Sequence, residues 1–415
     1  MNPPSKAPWL LCWLLFGATA LNFLDRQVLS VLAPQLMTEL GMTNTTYSRV
    51  VSAFVFSYTI MVTGGGWLVD FLGTRRGLGW SVVVWSLASA LHSLVTGPWG
   101  LGGARMLLGF GEGACFPAAT KGACEWFPIE KRALAIGIAI GGSAFGAVLA
   151  PPLTAWLALK FGWRGAFLTT GLLGFVWVIA WFAVAAPRRS AAVPEVKDGA
   201  LPRRRYGEWR ELLGRPVVWR ILASRFLFDP VFYFYMFWIP QYLSKERGFS
   251  LEQIGKYYWV PFLVLGISNI GSGQLSDFLV RRGWTTRQAR SRLLLTAALL
   301  TPVSCLVTLA PSAGWAIALM SCLMAAHGVW ISNFLAHISD HLPTASIATA
   351  VGMSGTVGGC AGMLANLVVG PVVDHYSFTP VFITSAVLYP LAALILLAGR
   401  RQAKLENVPP VIRRT

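Results

Sequence analysis

The feature that most restricts this chain is a recurring apolar stretch, about 20 residues long, with hardly a charge inside it. Twelve can be marked, near residues 8–35, 46–71, 77–97, 99–123, 132–157, 164–186, 217–243, 253–279, 291–310, 313–338, 345–373 and 378–400. Such a length, coiled as a helix, matches the hydrocarbon thickness of a bilayer. Helices can live there because they satisfy their own backbone polar groups. Only 12% of the 415 residues are charged, against about 25% in soluble domains. That is too few to clothe this much apolar surface in water. An all-α membrane protein of twelve spans is expected. The first stretch is longer than a signal-peptide core of about 7–15 residues and carries Asp25 and Arg26, so it reads as a retained first span.

Charge sets the orientation. The net charge of +17 would suggest a nucleic-acid partner in a soluble protein. Here the basic residues gather in loops: Arg75 and Arg76 after the second span, Lys131 and Arg132 after the fourth, Arg281, Arg282, Arg287, Arg290 and Arg292 after the eighth. All of these fall on one side, which the positive-inside tendency makes cytoplasmic, with both termini there. No nucleic acid is needed to explain them, and the 18 Trp and 24 Phe suit spans and interfaces. The six cysteines are scattered without metal-ligand spacing, and no metal or cofactor is expected. Neither a nucleophile elbow nor a phosphate loop is present, so the chain does not read as an enzyme.

The chain divides into like halves. Residues 187–216, polar, basic and bracketed by Pro187 and Pro216, read as a cytoplasmic linker. It separates a six-span bundle over 1–186 from another over 217–401, followed by a cytoplasmic tail over 402–415. After the second span stands Gly66-Trp67-Leu68-Val69-Asp70-Phe71-Leu72; after the eighth stands Gly273-Gln274-Leu275-Ser276-Asp277-Phe278-Leu279. Each is followed by an arginine pair, and the two Asp are 207 residues apart. Two parallel repeats of six spans are the pattern of a two-bundle rocker.

Ionisable groups inside spans are costly and mark function or pairing. Asp25 and Arg26 are adjacent in the first span, about 100° apart on a helix, so each needs a partner elsewhere. They read as a proton-titrating acid beside an anion-binding arginine, or as members of an interhelical bridge. In the fourth span Arg105 and Glu112 lie about 10.5 Å apart on nearly one face, among Gly109, Gly111 and Gly113. A carboxylate desolvated at mid-depth can hold a proton until a charge arrives, so Glu112 is the main proton-carrier candidate. Arg105 would pair alternately with Asp25 or Glu112, or form a permanent bridge. Arg225 and Asp229 read as a structural helix-face pair, and His327 and His337 as packing histidines. Asn333 suits sugar hydroxyls, and Tyr58, Tyr233, Tyr235 and Trp238 offer rings that stack on a pyranose or simply pack.

The doubled G-x-x-x-D loop resembles the signature loop of the major facilitator superfamily, with Phe71 and Phe278 where a basic residue usually follows the Asp. Asp70 and Asp277 would latch the cytoplasmic side by receiving arginine donors or capping a helix of the other bundle. Leu21 to Arg26, Arg105 to Glu112 and Gly162 to Phe167 resemble the anion:cation symporter family within it. Phe116 to Lys121, Glu125 to Pro128, and Asp229-Pro230 through Phe237 to Pro240 are similar to bacterial hexuronate transporters, a likeness covering nearly the whole chain. It implies that Arg26 binds a substrate carboxylate, with Tyr58, Ser143 and Asn333 around the sugar, while Asp25 and Glu112 carry protons and Arg105 couples them. Phe23 stands where that family commonly has tyrosine. The expected protein is a proton-coupled symporter of a small organic anion, such as glucuronate or galacturonate, in a bacterial inner membrane. Its partners would be that anion, protons and lipids, and a monomer is expected. The rival readings are a carrier of aldonates, aldarates or aromatic acids, and a non-transporting membrane sensor.

Overall fold

The computed structural model describes residues 7–185 and 210–398, and all of their regular structure is helical. Residues 187–209 of the expected linker and the whole expected tail lie outside the described residues. The first half holds α1 (Ala7–Glu39), α2 (Asn44–Leu72), α3 (Thr74–Leu91), α4 (Pro98–Glu112), α5 (Cys115–Trp126) and α6 (Ile129–Val184). The second holds α7 (Pro216–Phe237), α8 (Ile239–Arg247), α9 (Leu251–Tyr257), α10 (Trp259–Arg281), α11 (Thr286–Leu300), α12 (Ala313–His341), α13 (Thr344–His375) and α14 (Thr379–Leu397). Among the described residues, seven helices are by themselves long and apolar enough to cross a bilayer.

Among the described residues, the helices named above map onto the twelve expected stretches because some stretches are broken and two are joined. The fourth is split between α4 and α5 at Gly113, the seventh between α7 and α8 at Trp238, and the eighth between α9 and α10 at Tyr258. Conversely, α6 contains the fifth and sixth stretches without a loop. Gly162 takes φ +73°, a conformation that favours glycine, and reverses the chain there. Before that turn Gly142 meets Phe16 of α1, and after it Trp177 donates to the Leu14 carbonyl of α1 at 2.8 Å.

The duplication is visible in the backbone. Gly41 and Gly248, 207 residues apart, both turn the chain with positive φ, at +61° and +67°. Two residues on, Thr43 and Ser250 cap the next helix with their hydroxyls.

Glycine lets α6 seat closely on α1. Gly142 and Gly146, four residues apart, face the carbonyls of Phe16 and Ala20, and no Cβ would fit at either. Thr19 Oγ1 adds a hydrogen bond to the Ala139 carbonyl at 2.5 Å. Such small-residue contacts drive helix association where lipid offers no hydrophobic force. Gly146→Leu is expected to cost about 3 kcal/mol or more, read as a lower melting temperature in detergent; unchanged melting would show that this crossing does not hold the bundle.

The two bundles touch at one end and part at the other. Along α2 and α13, Asn44 and Ser48 meet Gly370, Ser52 donates to Met363 O at 3.3 Å, and Thr59 meets Gly359. Further on, Gly64 of α2 and Gly352 and Gly355 of α13 have nothing within 4 Å of where a Cβ would stand. The other seam repeats this. Ala155 of α6 meets Gly255 of α9 closely, Ala144 is 3.8 Å from the Cβ position of Gly266, and Gly137, Gly141, Gly271 and Gly273 face open space. The result is a cleft, closed near Asn44 and open toward the end that carries Asp70 and Asp277.

Candidate functional site

The site lies near the apex of this cleft, where α1, α2, α4 and α7 come together. Gly109 of α4 and Gly113 just beyond its end fit against Phe54, Ser57, Tyr58 and Met61 of α2, and Gly111 of α4 fits against Trp85 of α3. Side chains at those glycines would push α4 outward. Their absence brings Glu112, the last residue of α4, to α1.

Arg26 and Glu112 are 3% and 0% exposed and form an ion pair. Arg26 Nε and Nη2 donate to Glu112 Oε2 at 3.2 and 3.0 Å, and Nη2 also donates to Asn22 Oδ1 at 3.1 Å. Aromatic rings surround the guanidinium: its Cζ is 4.3 Å from the Tyr58 centroid, 4.8 Å from Phe23 and 5.3 Å from Phe54. Cation–π attraction thus supports a charge held among apolar walls. Glu112 sits at the carboxyl end of its helix, where the dipole disfavours an anion, so Arg26 supplies most of its compensation.

Asp25 turns the other way. It accepts from Ser89 Oγ at 3.0 Å, and Ser89 shares a hydrogen bond with Thr170, which places the carboxylate inside the first bundle between α1, α3 and α6. Arg105 is 1% exposed. Its Nη1 donates to the Arg26 carbonyl at 3.4 Å, while Nε and Nη2 meet no partner among the described residues. It forms an ion pair with neither Asp25 nor Glu112 in this conformation but interacts electrostatically with both.

The remaining expected residues divide. Tyr58 is beside Arg26. Ser143 is half-buried on α6 and donates to its own helix at Ile140 O, 2.8 Å away. Asn333 is buried on α12 and donates to Val329 O at 2.8 Å. Tyr235 faces the interior of the second bundle, packed on Phe234 and Phe382. Tyr233, two residues before it, points the other way and stacks at 6.0 Å on Phe237, whose ring meets Phe54 of the first bundle at 6.2 Å. Trp238 lies at the closed end, edge-on to Tyr47 at 5.1 Å and donating to Asn366 Oδ1 at 2.7 Å. His327 hydrogen-bonds Tyr389 and stacks on Phe232.

Asp70 and Asp277 stand at the open end without bridging the bundles. Lys121 of the same bundle binds Asp70 at 2.9 Å, and Asp277 is exposed and pairs with no described residue. The capping contact expected of them occurs at the opposite end, through a residue the sequence reading passed over. Asp374 of α13 accepts from the backbone N–H groups of Asn44 and Thr45 at 3.0 and 2.8 Å, and from their side chains at 2.7 and 2.6 Å. One bundle thereby caps the first turn of α2 in the other. Lys245 Nζ and Gln241 Nε2 donate to Asn44 Oδ1 beside it. Asp374→Ala is expected to weaken this seal by about 1–3 kcal/mol. Ser48→Cys, placed behind the seal in a background without other reactive cysteines, should then be labelled from the closed side about tenfold faster or more; equal labelling would mean that Asp374 does not hold the end shut.

Two like bundles around a buried charged site, open to one side, define a polytopic carrier of the rocking type. The sequence pattern of the Major Facilitator Superfamily matches residues 15–366. The chain belongs to that superfamily, whose members are transporters and not enzymes. It is 30% identical over 401 residues to the hexuronate transporter of Escherichia coli (strain K12), covering 94% of this chain and 93% of that one. It is 28% identical over 427 residues to the D-galactonate transporter of Escherichia coli O6:H1, covering 95% and 96%. In fold it is similar to a bacterial homolog of the human lysosomal transporter Spinster, in an inward-facing, unoccupied conformation. The TM-score there is 0.74 at 17% identity, covering 95% and 96%.

Proposed function

We propose that this protein imports a sugar acid, a hexuronate such as glucuronate or galacturonate or a related aldonate, together with protons. The observation that carries the reading is the sealed Arg26–Glu112 pair beside Tyr58. A guanidinium is the natural clamp for a carboxylate, but here Glu112 already occupies its Nε/Nη2 edge. Cargo and Glu112 therefore compete for one arginine.

A proton resolves the competition. Protonated Glu112 releases Arg26, and the substrate carboxylate takes its place. The apex then holds the same net charge as the empty ion pair, so the bundles can close over it without burying an unpaired charge. Binding without the proton would leave two carboxylates facing one guanidinium, which the dry site penalises. The empty carrier returns with the ion pair re-formed. Only the proton-plus-anion state and the empty state cross readily, and that is coupled transport. The homologous hexuronate and D-galactonate transporters support a sugar acid as cargo. Direction follows from loop charge: the open end carries Arg75, Arg76, Arg281 and Arg282, so the cleft faces the cytoplasm of a bacterial inner membrane, with both termini on that side.

The test is uptake of labelled glucuronate and galacturonate by sealed proteoliposomes with an acidic exterior. Accumulation that collapses with a protonophore is expected. Absence of uptake of either acid would overturn the cargo, and accumulation indifferent to the protonophore would overturn the coupling.

A further inference from the structure

Arg225 and Asp229 lie one turn apart on α7, and Arg225 Nε donates to Asp229 Oδ2 at 2.7 Å. Their side chains are 19% and 6% exposed. The same helix face continues in four-residue steps to Tyr233 and Phe237. Both belong to one aromatic run that crosses the cleft: Tyr233 stacks on Phe237 at 6.0 Å, Phe237 meets the Phe54 ring of the first bundle at 6.2 Å, and the Arg26 guanidinium stands 5.3 Å over Phe54. Behind them, α13 presents Gly358 to the Arg225–Asp229 pair and Gly362 to the Tyr233 ring, each too close to admit a Cβ. The pair is thus seated on bare backbone. Arg225 Nη1 and Nη2 and Asp229 Oδ1 bond to no described residue, and none of these atoms is sealed from solvent.

We infer that the Arg225–Asp229 pair is a second contact of the transport site, which holds the hydroxyl-bearing end of the cargo and restricts that cargo to monocarboxylates. The inference rests on the sugar-acid reading above. A guanidinium beside a carboxylate offers donors and an acceptor side by side, and sugar hydroxyls both donate and accept. Asp229 and Tyr233 are separated by about 6 Å along the helix. An acid whose carboxylate is clamped at Arg26, near Tyr233, therefore extends its other end toward the pair. A carboxylate arriving there would find the Arg225 charge already neutralised by Asp229 and would be buried without compensation. Hexuronates and aldonates end in hydroxyl-bearing carbons at that position. Aldarates, with a carboxylate at each end, are excluded.

The experiment is uptake of labelled glucuronate into proteoliposomes, competed by a large excess of unlabelled galactonate or galactarate. It uses the wild type, Asp229→Asn, and the double variant Arg225→Met with Asp229→Leu, each checked for melting temperature and monodispersity. In the wild type galactonate should compete and galactarate should not. Asp229→Asn should admit galactarate. The double variant removes both charges together and so should fold, with KM for glucuronate raised about tenfold or more through loss of hydrogen bonds to charged groups. Competition by galactarate equal to that by galactonate in the wild type overturns the inference whatever the variants do. So does a folded variant that keeps both its KM and its selectivity. A wild type that accumulates no sugar acid overturns the functional reading and this inference together, whereas a wild type that accumulates glucuronate but does not discriminate galactarate from galactonate overturns only the latter.

Discussion

Replacing Arg26 with lysine is expected to lower kcat/KM for sugar-acid uptake by two orders of magnitude or more, while the protein folds and reaches the membrane. The charge survives, so Glu112 keeps a counter-ion and the bundle keeps its neutral core. The fork does not. Arg26 directs Nε and Nη2 to one carboxylate oxygen and a further Nη2 bond to Asn22, with Tyr58 and Phe23 against its plane. A lysine ammonium is a compact, strongly hydrated point charge that cannot make the two parallel bonds or the stacked contact. Weakening a desolvated, hydrogen-bonded charge pair costs about 2–5 kcal/mol, and every 1.4 kcal/mol is tenfold. The check is initial uptake rate against concentration in proteoliposomes, with melting temperature as the control for folding. An unchanged KM in the Arg26→Lys variant would remove the carboxylate clamp from the mechanism.

Glu112→Gln separates coupling from binding. Glutamine keeps the shape but neither titrates nor neutralises Arg26. Anion binding should then lose its pH dependence. In the wild type it strengthens as pH falls, because protonation frees the guanidinium; in the variant Arg26 is free at every pH. The loaded carrier still crosses, since cargo neutralises Arg26. The empty carrier does not, because it would carry an unpaired guanidinium through the closed state at a cost of about 3–5 kcal/mol. Gradient-driven accumulation should therefore fall about a hundredfold or more, while exchange of internal for external substrate persists. Both assays can be run on one batch of vesicles. Gradient-driven uptake at the wild-type level would show that the proton rides elsewhere, and Asp25 would be the next residue to test.

The repeat was legible because it is written in local signals. The Asp70 and Asp277 loops, the Gly41 and Gly248 turns and the Thr43 and Ser250 caps all keep one spacing. Arg26 and Glu112 stood out as candidates because charge in an apolar span is rare, whereas Tyr58 entered only as an aromatic ring and through the family resemblance. What the sequence hid depends on rotation about helix axes and on partners far away in the chain. Asp25 is next to Arg26 but about 100° around the helix, and that turn carries it into the bundle against Ser89. Tyr233 and Tyr235 differ by about 200°, so only one of them can face the cleft. The repeat itself holds the missing clue, since 207 residues beyond Arg26 stands Tyr233. Asp374 was invisible because its role needs the first turn of α2, some 330 residues away, brought beside it.

The glycines that face open space along both seams describe a surface rather than a gap. Gly64 with Gly352 and Gly355, and Gly137 and Gly141 with Gly271 and Gly273, are smooth strips of helix on the arms that now stand apart. Their counterparts at the shut end, Gly359, Gly370 and Gly255, show what such strips do when the arms meet. The molecule thus carries the mating faces of its opposite posture already machined, and swinging between postures exchanges one set of glycine seams for the other instead of building new contacts. A cysteine pair set at Gly141 and Gly271 should cross-link only in molecules tipped the other way, and cross-linking in the present posture would show that the strips do not mate in turn.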